Sequence, residues 1–170
     1  MKDDFETLRP KYVEEKKRVY IRRIGPLVPN IPPQILGQWF YDHFDSVLQR
    51  YSWINIPKMI FSLEIWDKGR ILRDVRPWNP DAVESWAKQF MSGSEPYTSP
   101  LVNYMREKNT WPIPPIVLDN YNNLRMPDGH KISRYDLIEG HHRFAYFKGL
   151  MLSKHLCVPS EHDLWILKIA

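Results

Sequence analysis

Glu139-Gly140-His141-His142-Arg143 gathers, in five consecutive residues, most of the groups that phosphate chemistry asks for. A glycine between a strand and a helix accepts positive φ and lets the backbone approach a bound group closely. The amides that follow it open the helix without intrahelical acceptors, at the positive end of the helix dipole, where anions are stabilised. Arg143 brings a planar fork suited to phosphate oxygens. His141 and His142 donate, accept and carry protons near neutral pH. Glu139 can act as a base or as a ligand to Mg²⁺. Glu139 and His142 are therefore the candidate catalytic residues. Gly140, His141, His142 and Arg143 are the candidate phosphate-binding residues, and no metal-ligand set is assigned. Consecutive helix positions face different directions, so the paired histidines alone do not indicate zinc. The plain alternative is a tight turn in which Arg143 pairs with Asp136 or Glu139.

The surrounding pattern supplies the elements that must position this turn. Tyr135–Ile138 reads as a strand running into it, and a helix follows from Phe144 to about Leu152. Ile116–Leu118, after Trp111-Pro-Ile-Pro-Pro115, reads as a buried strand, and Asp163–Ile169 as a final one. Pro127-Asp128-Gly129 marks a turn. Asp119 and Asp128 are second-tier metal or base candidates, and Lys131 and Arg134 are within reach of a phosphate by sequence alone. Further upstream, Asn79-Pro80 caps a helix whose apolar positions Val83, Trp86, Ala87, Phe90 and Met91 keep helical spacing until Gly93 ends it. A short helix is expected from Leu101 to about Lys108, with Leu101, Tyr104 and Met105 inward. Lys58–Trp66 alternates as a strand, Asp67-Lys-Gly69 signals a turn, and Ile71–Val75 is expected to return as the hairpin partner. Pro33 to about Arg50 carries a helical stripe of Ile35, Leu36, Trp39, Phe40, Phe44, Val47 and Leu48. A proline-rich strap over 24–33 and a charged arm over 3–23, interrupted at Pro10, precede it.

Composition bounds the function classes. The chain has 170 residues, 24 Lys+Arg against 20 Asp+Glu and a formal charge of +4. Seven Trp, nine Tyr and seven Phe supply apolar area for a core, which argues against intrinsic disorder. Eight basic and five acidic side chains fall within residues 1–24, so the basic balance belongs mostly to the arm around Lys16-Lys17-Arg18 and Arg22-Arg23. Such an arm can touch nucleic acid, but with Glu14-Glu15 beside it a solvated helix face is the simpler reading. The apolar runs are too short to span a membrane. The N-terminus lacks the apolar core of a signal peptide, so a cytoplasmic protein is expected. The single cysteine, Cys157, makes neither an internal disulfide nor a multi-cysteine zinc site.

Leu137-Ile138-Glu139-Gly140-His141-His142-Arg143-Phe144-Ala145-Tyr146-Phe147 resembles the signature turn of the ParB/sulfiredoxin superfamily. Sulfiredoxins carry Gly-Cys-His-Arg there, and ParB-type domains Gly-Glu-Arg-Arg or Gly-His-Arg-Arg. The helix Leu101–Lys108, the run Pro112 to Leu118 and the strand Trp165–Ile169 are similar to the family's flanking elements. The resemblance implies an α+β fold, with a ParB/sulfiredoxin-like mixed-sheet core over residues 75–170. Residues 1–74 would then be an N-terminal helical and hairpin extension made of the basic arm, strap, helix and strand. His141 replaces the sulfiredoxin nucleophilic cysteine, which argues against sulfinic acid reduction. Glu139-Gly140-His141-His142-Arg143 is closest in motif to the ParB-like nuclease and free-serine kinase branches.

These readings imply a nucleotide-binding protein that transfers or hydrolyses a phosphoryl group. The ligand would be a nucleoside di- or triphosphate (ATP, ADP or CTP) with Mg²⁺. Two alternatives stay open. One is a non-catalytic ParB-like module that binds a protein partner through an aromatic surface, given tryptophans at Trp39, Trp53, Trp66, Trp78, Trp86, Trp111 and Trp165. The other is a ParB-like nuclease acting on nucleic acid.

Overall fold

Ion pairs fold the basic arm back on its own unit. In the computed structural model, which describes residues 5–94, 99–129, 131–153 and 158–170, Arg23 places Nε and Nη2 each 2.7 Å from the two carboxylate oxygens of Glu15. This contact, above all, holds the Glu15 carboxyl below the usual carboxylate range. Lys17 reaches Asp42 at 2.6 Å, and Arg9 reaches Asp45 at 3.0 Å. Helix α1 (Lys17–Ile24) buries Tyr20 and Ile24. The expected single helix from Pro33 to Arg50 is instead three pieces: a turn at Pro33–Ile35, a π-helical stretch at Leu36–Tyr41, and α2 (Phe44–Tyr51). His43, at φ −134 and ψ 30, interrupts the winding. The apolar stripe is nevertheless buried at Ile35, Leu36, Trp39, Phe40, Phe44 and Val47, because burial follows the side chains rather than the helix type. Together with residues 121–132 and 167–170, residues up to Phe61 form the first of two compact units. The turn at Pro127–Gly129 lies in this unit, closed by the Gly129 amide donating to the Met126 carbonyl at 2.8 Å.

Residues 62–120 and 133–166 form the second unit. Its start precedes the expected boundary at residue 75, and it contains the Gly140 turn. Strand β1 (Met59–Asp67) does not turn into a hairpin. The Asp67 carboxylate accepts from the amides of Gly69 and Arg70, at 2.8 and 3.1 Å, and so caps helix α3 (Lys68–Asp74). Asp-Lys-Gly fits a turn and an N-cap equally well, and capping satisfies two otherwise orphaned donors. The chain then gives the short strand β2 (Val75–Pro77) and helix α4 (Pro80–Ser92), capped by Asn79 and ended by Gly93 at φ 70. Val83, Ala87 and Phe90 are buried on α4, Trp86 is half-buried and Met91 is exposed. Helix α5 (Pro100–Lys108) starts at Ser99, whose hydroxyl accepts from the Val102 amide. It buries Val102 and Met105 while Tyr104 faces out, so its inward face is rotated from the expected one.

Strands β3 (Ile116–Asp119) and β4 (Tyr135–Glu139), helix α6 (His141–Leu152) and strand β5 (Glu161–Ile169) follow. The sheet order is β1-β5-β3-β4-β2, with β3 antiparallel and β2 parallel to β4. The fold is therefore α+β with a mixed five-stranded sheet, and β3, β4 and β5 share that sheet as expected. Phe90, Val102, Val117, Leu137, Phe147 and Leu164 belong to one core on which α4, α5 and α6 pack. Cys157 lies outside the described residues. Among the described residues, no helix is long and apolar enough to cross a membrane.

Candidate functional site

Gly140 stands between β4 and α6 with φ 95 and ψ 28, the left-handed conformation that a glycine supplies at least cost. A Cβ placed there would lie 2.8 Å from Cβ and 3.1 Å from Cα of Pro115. The Trp111–Pro115 segment thus packs directly under the turn, which explains why the sequence needs glycine at this residue. Helix α6 starts without a side-chain cap and with no acidic residue in its first turn. The Phe144 amide is the first to close on it, donating to the Gly140 carbonyl at 2.8 Å.

The two basic side-chain types part company at this point. Arg143 is turned inward, with its side chain only 10% exposed, and it pairs through Nη2 with the Glu139 carboxylate, itself equally buried. Its Nη1 donates to the Ile113 carbonyl at 2.7 Å and more distantly to that of Pro114 at 3.3 Å. The expected arginine fork toward a ligand is corrected accordingly. The guanidinium braces the end of β4, the helix start and the proline segment against one another. Glu139 is held by the same pair, which removes it from the role of an open base. The physical reason is burial, since neither charge is tolerated there without the other.

His141 and His142 face a different environment. His142 is exposed and stacks on Trp86, ring centroids 4.1 Å apart and 31° between planes, with Tyr146 at 6.0 Å. His141 meets Trp78 edge-on at 6.1 Å, and Trp78 is 54% exposed. The site therefore consists of the helix start, two imidazoles and two indoles. Neither tryptophan was singled out by sequence for this turn, although Trp78 immediately precedes the Asn79-Pro80 cap of α4. The packing of α4 along α6 brings Trp86 to His142, and the parallel pairing of β2 with β4, Pro77 opposite Leu137, brings Trp78 to the turn.

The second-tier residues do not join this group. Asp119 is buried and pairs with Arg134 at 2.8 Å, at the end of β4 opposite Glu139. Asp128 and Lys131 are exposed and belong to the first unit. Among the described residues, no group of three or more His, Cys, Asp or Glu is arranged to hold a metal ion.

Asp136, on β4, enters the sequence reading only as an alternative partner of Arg143, a role that Glu139 fills, and the burial of Asp136 is not visible there. Burial pushes its carboxyl up to about 6, against a hydrogen bond from the Ser133 backbone that favours the ionised form. The native state thus holds a proton that the unfolded chain releases near pH 4, so stability falls as pH rises between about 4 and about 6 and is flat above. Asp136→Asn is expected to raise stability at pH 7 by about 1–2 kcal/mol, discounted for partial exposure. Urea unfolding at pH 4 and pH 7 checks this, the gain being confined to the higher pH.

Compared with known proteins, the chain matches no family model, no curated protein and no solved structure.

Proposed function

We propose that the second unit binds a nucleoside phosphate at the N-terminal end of α6. The carrying observation is the uncapped helix start at Gly140, flanked by His141 against Trp78 and His142 against Trp86. The helix end and the imidazoles favour an anion, and an exposed indole offers a face on which a base stacks. A ParB/sulfiredoxin-like core belongs to the same proposal, supported by the strand–Gly–helix order and the shared sheet of β3, β4 and β5. The residues around the turn do not fit a protein-held Mg²⁺, because the nearest carboxylate, Glu139, is committed to Arg143. We therefore derive no step through a metal. The function supported best is binding, and in this reading His142, exposed beside the helix start, moves the proton where a phosphoryl group is transferred or hydrolysed.

Titration calorimetry with ATP, ADP and CTP tests this reading, each with Mg²⁺ and again with EDTA. At least one nucleotide is expected to bind. His142→Ala and Trp78→Ala should each weaken that binding by about 1–1.5 kcal/mol without loss of fold, since both side chains are exposed. No heat of binding at millimolar nucleotide, or unchanged affinity in both variants, overturns the proposal.

A further inference from the structure

A second site lies elsewhere in the same unit, along β5 and the Thr110–Pro114 segment. An open groove of about 510 Å³ has an apolar wall made by Ile65, Tyr104, Pro112 and Pro159. Among the described residues, its only charged lining residues are Glu161 and Asp163, in a chain whose net charge is +4. The two lie two residues apart on a strand and so project from the same face. Both are exposed while His162 and Leu164 turn inward. Neither carboxylate forms an ion pair with any described residue.

The floor of the groove is rigid. His162 is buried, and its Nε2 lies 3.0 Å from the Pro159 carbonyl, which can only accept, so the proton sits on Nε2. Nδ1 then accepts from the Thr110 hydroxyl at 2.8 Å. The Trp111 indole donates to the Asp163 carbonyl at 2.9 Å, fixing β5 against the proline segment. A surface whose walls are prolines and whose floor is hydrogen-bonded loses little entropy on binding.

We infer that this groove binds an extended peptide segment that presents a lysine or arginine beside proline or aliphatic side chains. The carboxylates take the cation, and the apolar wall takes the neighbouring residue. Extended, proline-bearing segments suit such grooves because they are already ordered before they bind. Charge complementarity selects the sign of the partner, and the open shape fits a chain passing through rather than an enclosed small molecule. This inference is independent of the nucleotide reading.

The test uses fluorescence anisotropy with a short fluorescein-labelled peptide of alternating lysine, proline and leucine. A matched peptide with glutamate in place of lysine serves as the control. The lysine peptide is expected to bind, more weakly as salt rises. The double substitution Glu161→Lys and Asp163→Lys should weaken it at least about tenfold, as expected for reversing two complementary charges. Tyr104→Ala should weaken it as well, while His142→Ala leaves it unchanged. Absence of binding at millimolar peptide, equal binding of the glutamate peptide, or affinity unaffected by the charge reversal overturns the inference.

Discussion

Arg143→Ala is expected to destabilise the protein by about 3–5 kcal/mol, because it leaves the Glu139 carboxylate buried without its cation. It also removes the donor shared by the Ile113 and Pro114 carbonyls, so the proline segment loses its tie to the helix start. Urea unfolding at neutral pH measures the loss. The double substitution Glu139→Leu with Arg143→Met should cost less than Arg143→Ala alone, since no charge is then stranded. Were Arg143 chiefly a ligand contact, Arg143→Ala would keep native stability and lose only nucleotide affinity. The two outcomes separate a brace from a binding group.

Gly140→Ala should be about as damaging, at roughly 3 kcal/mol or more, because two separate penalties add. One is the left-handed backbone at φ 95. The other is the collision with Pro115, where one of the contacted atoms is backbone and cannot swing aside. Asparagine tolerates the backbone conformation but keeps the Cβ, so Gly140→Asn is expected to destabilise also. Gly93 makes the comparison clean. It too has positive φ, but its nearest non-local atom is the far end of the Arg106 side chain at 3.8 Å. Gly93→Asn should therefore cost only a few tenths of a kcal/mol, judged by cap statistics. Thermal unfolding of the three variants gives the ranking.

Local chemistry made much of this fold readable in advance. Helix α4 was legible because cap, first-turn proline, apolar spacing and terminal glycine all agree between Asn79 and Gly93. Strands β3 and β4 were legible from their apolar runs and the glycine that ends the second. The stretch after Asp67 was not, since the carboxylate that reads as a turn former in sequence serves in the structure as a helix cap. Tyr104 was assigned inward by spacing, yet rotation of α5 buries Val102 in its place, a choice made by the facing core. The site divides the same way. Gly140 announced its own conformation, and the inward pairing of Arg143 with Glu139 was one of two open readings. What decided between them was the proline segment beneath, remote in sequence and visible only once the sheet was assembled. Trp86 joined the turn through helix packing and Trp78 through the pairing of β2 with β4, neither of which any motif records.

The strand order carries a consequence for the timing of folding. Strand β5, latest of the five in the chain, sits between β1 and β3. Until residues 161–169 are available, the earlier strand β1 has no neighbour in the sheet, and one edge of β3 stays unpaired. Asp67 and Glu161 are far apart in sequence, so closing the sheet means closing a long loop late, which slows folding. A nascent chain on the ribosome would hold β2, β3 and β4 together first, with the Gly140 turn between β4 and α6. The apolar residues exposed on β1 at Ile60, Leu63 and Ile65 would meanwhile accompany an unpaired strand, an opening for chaperones or for aggregation.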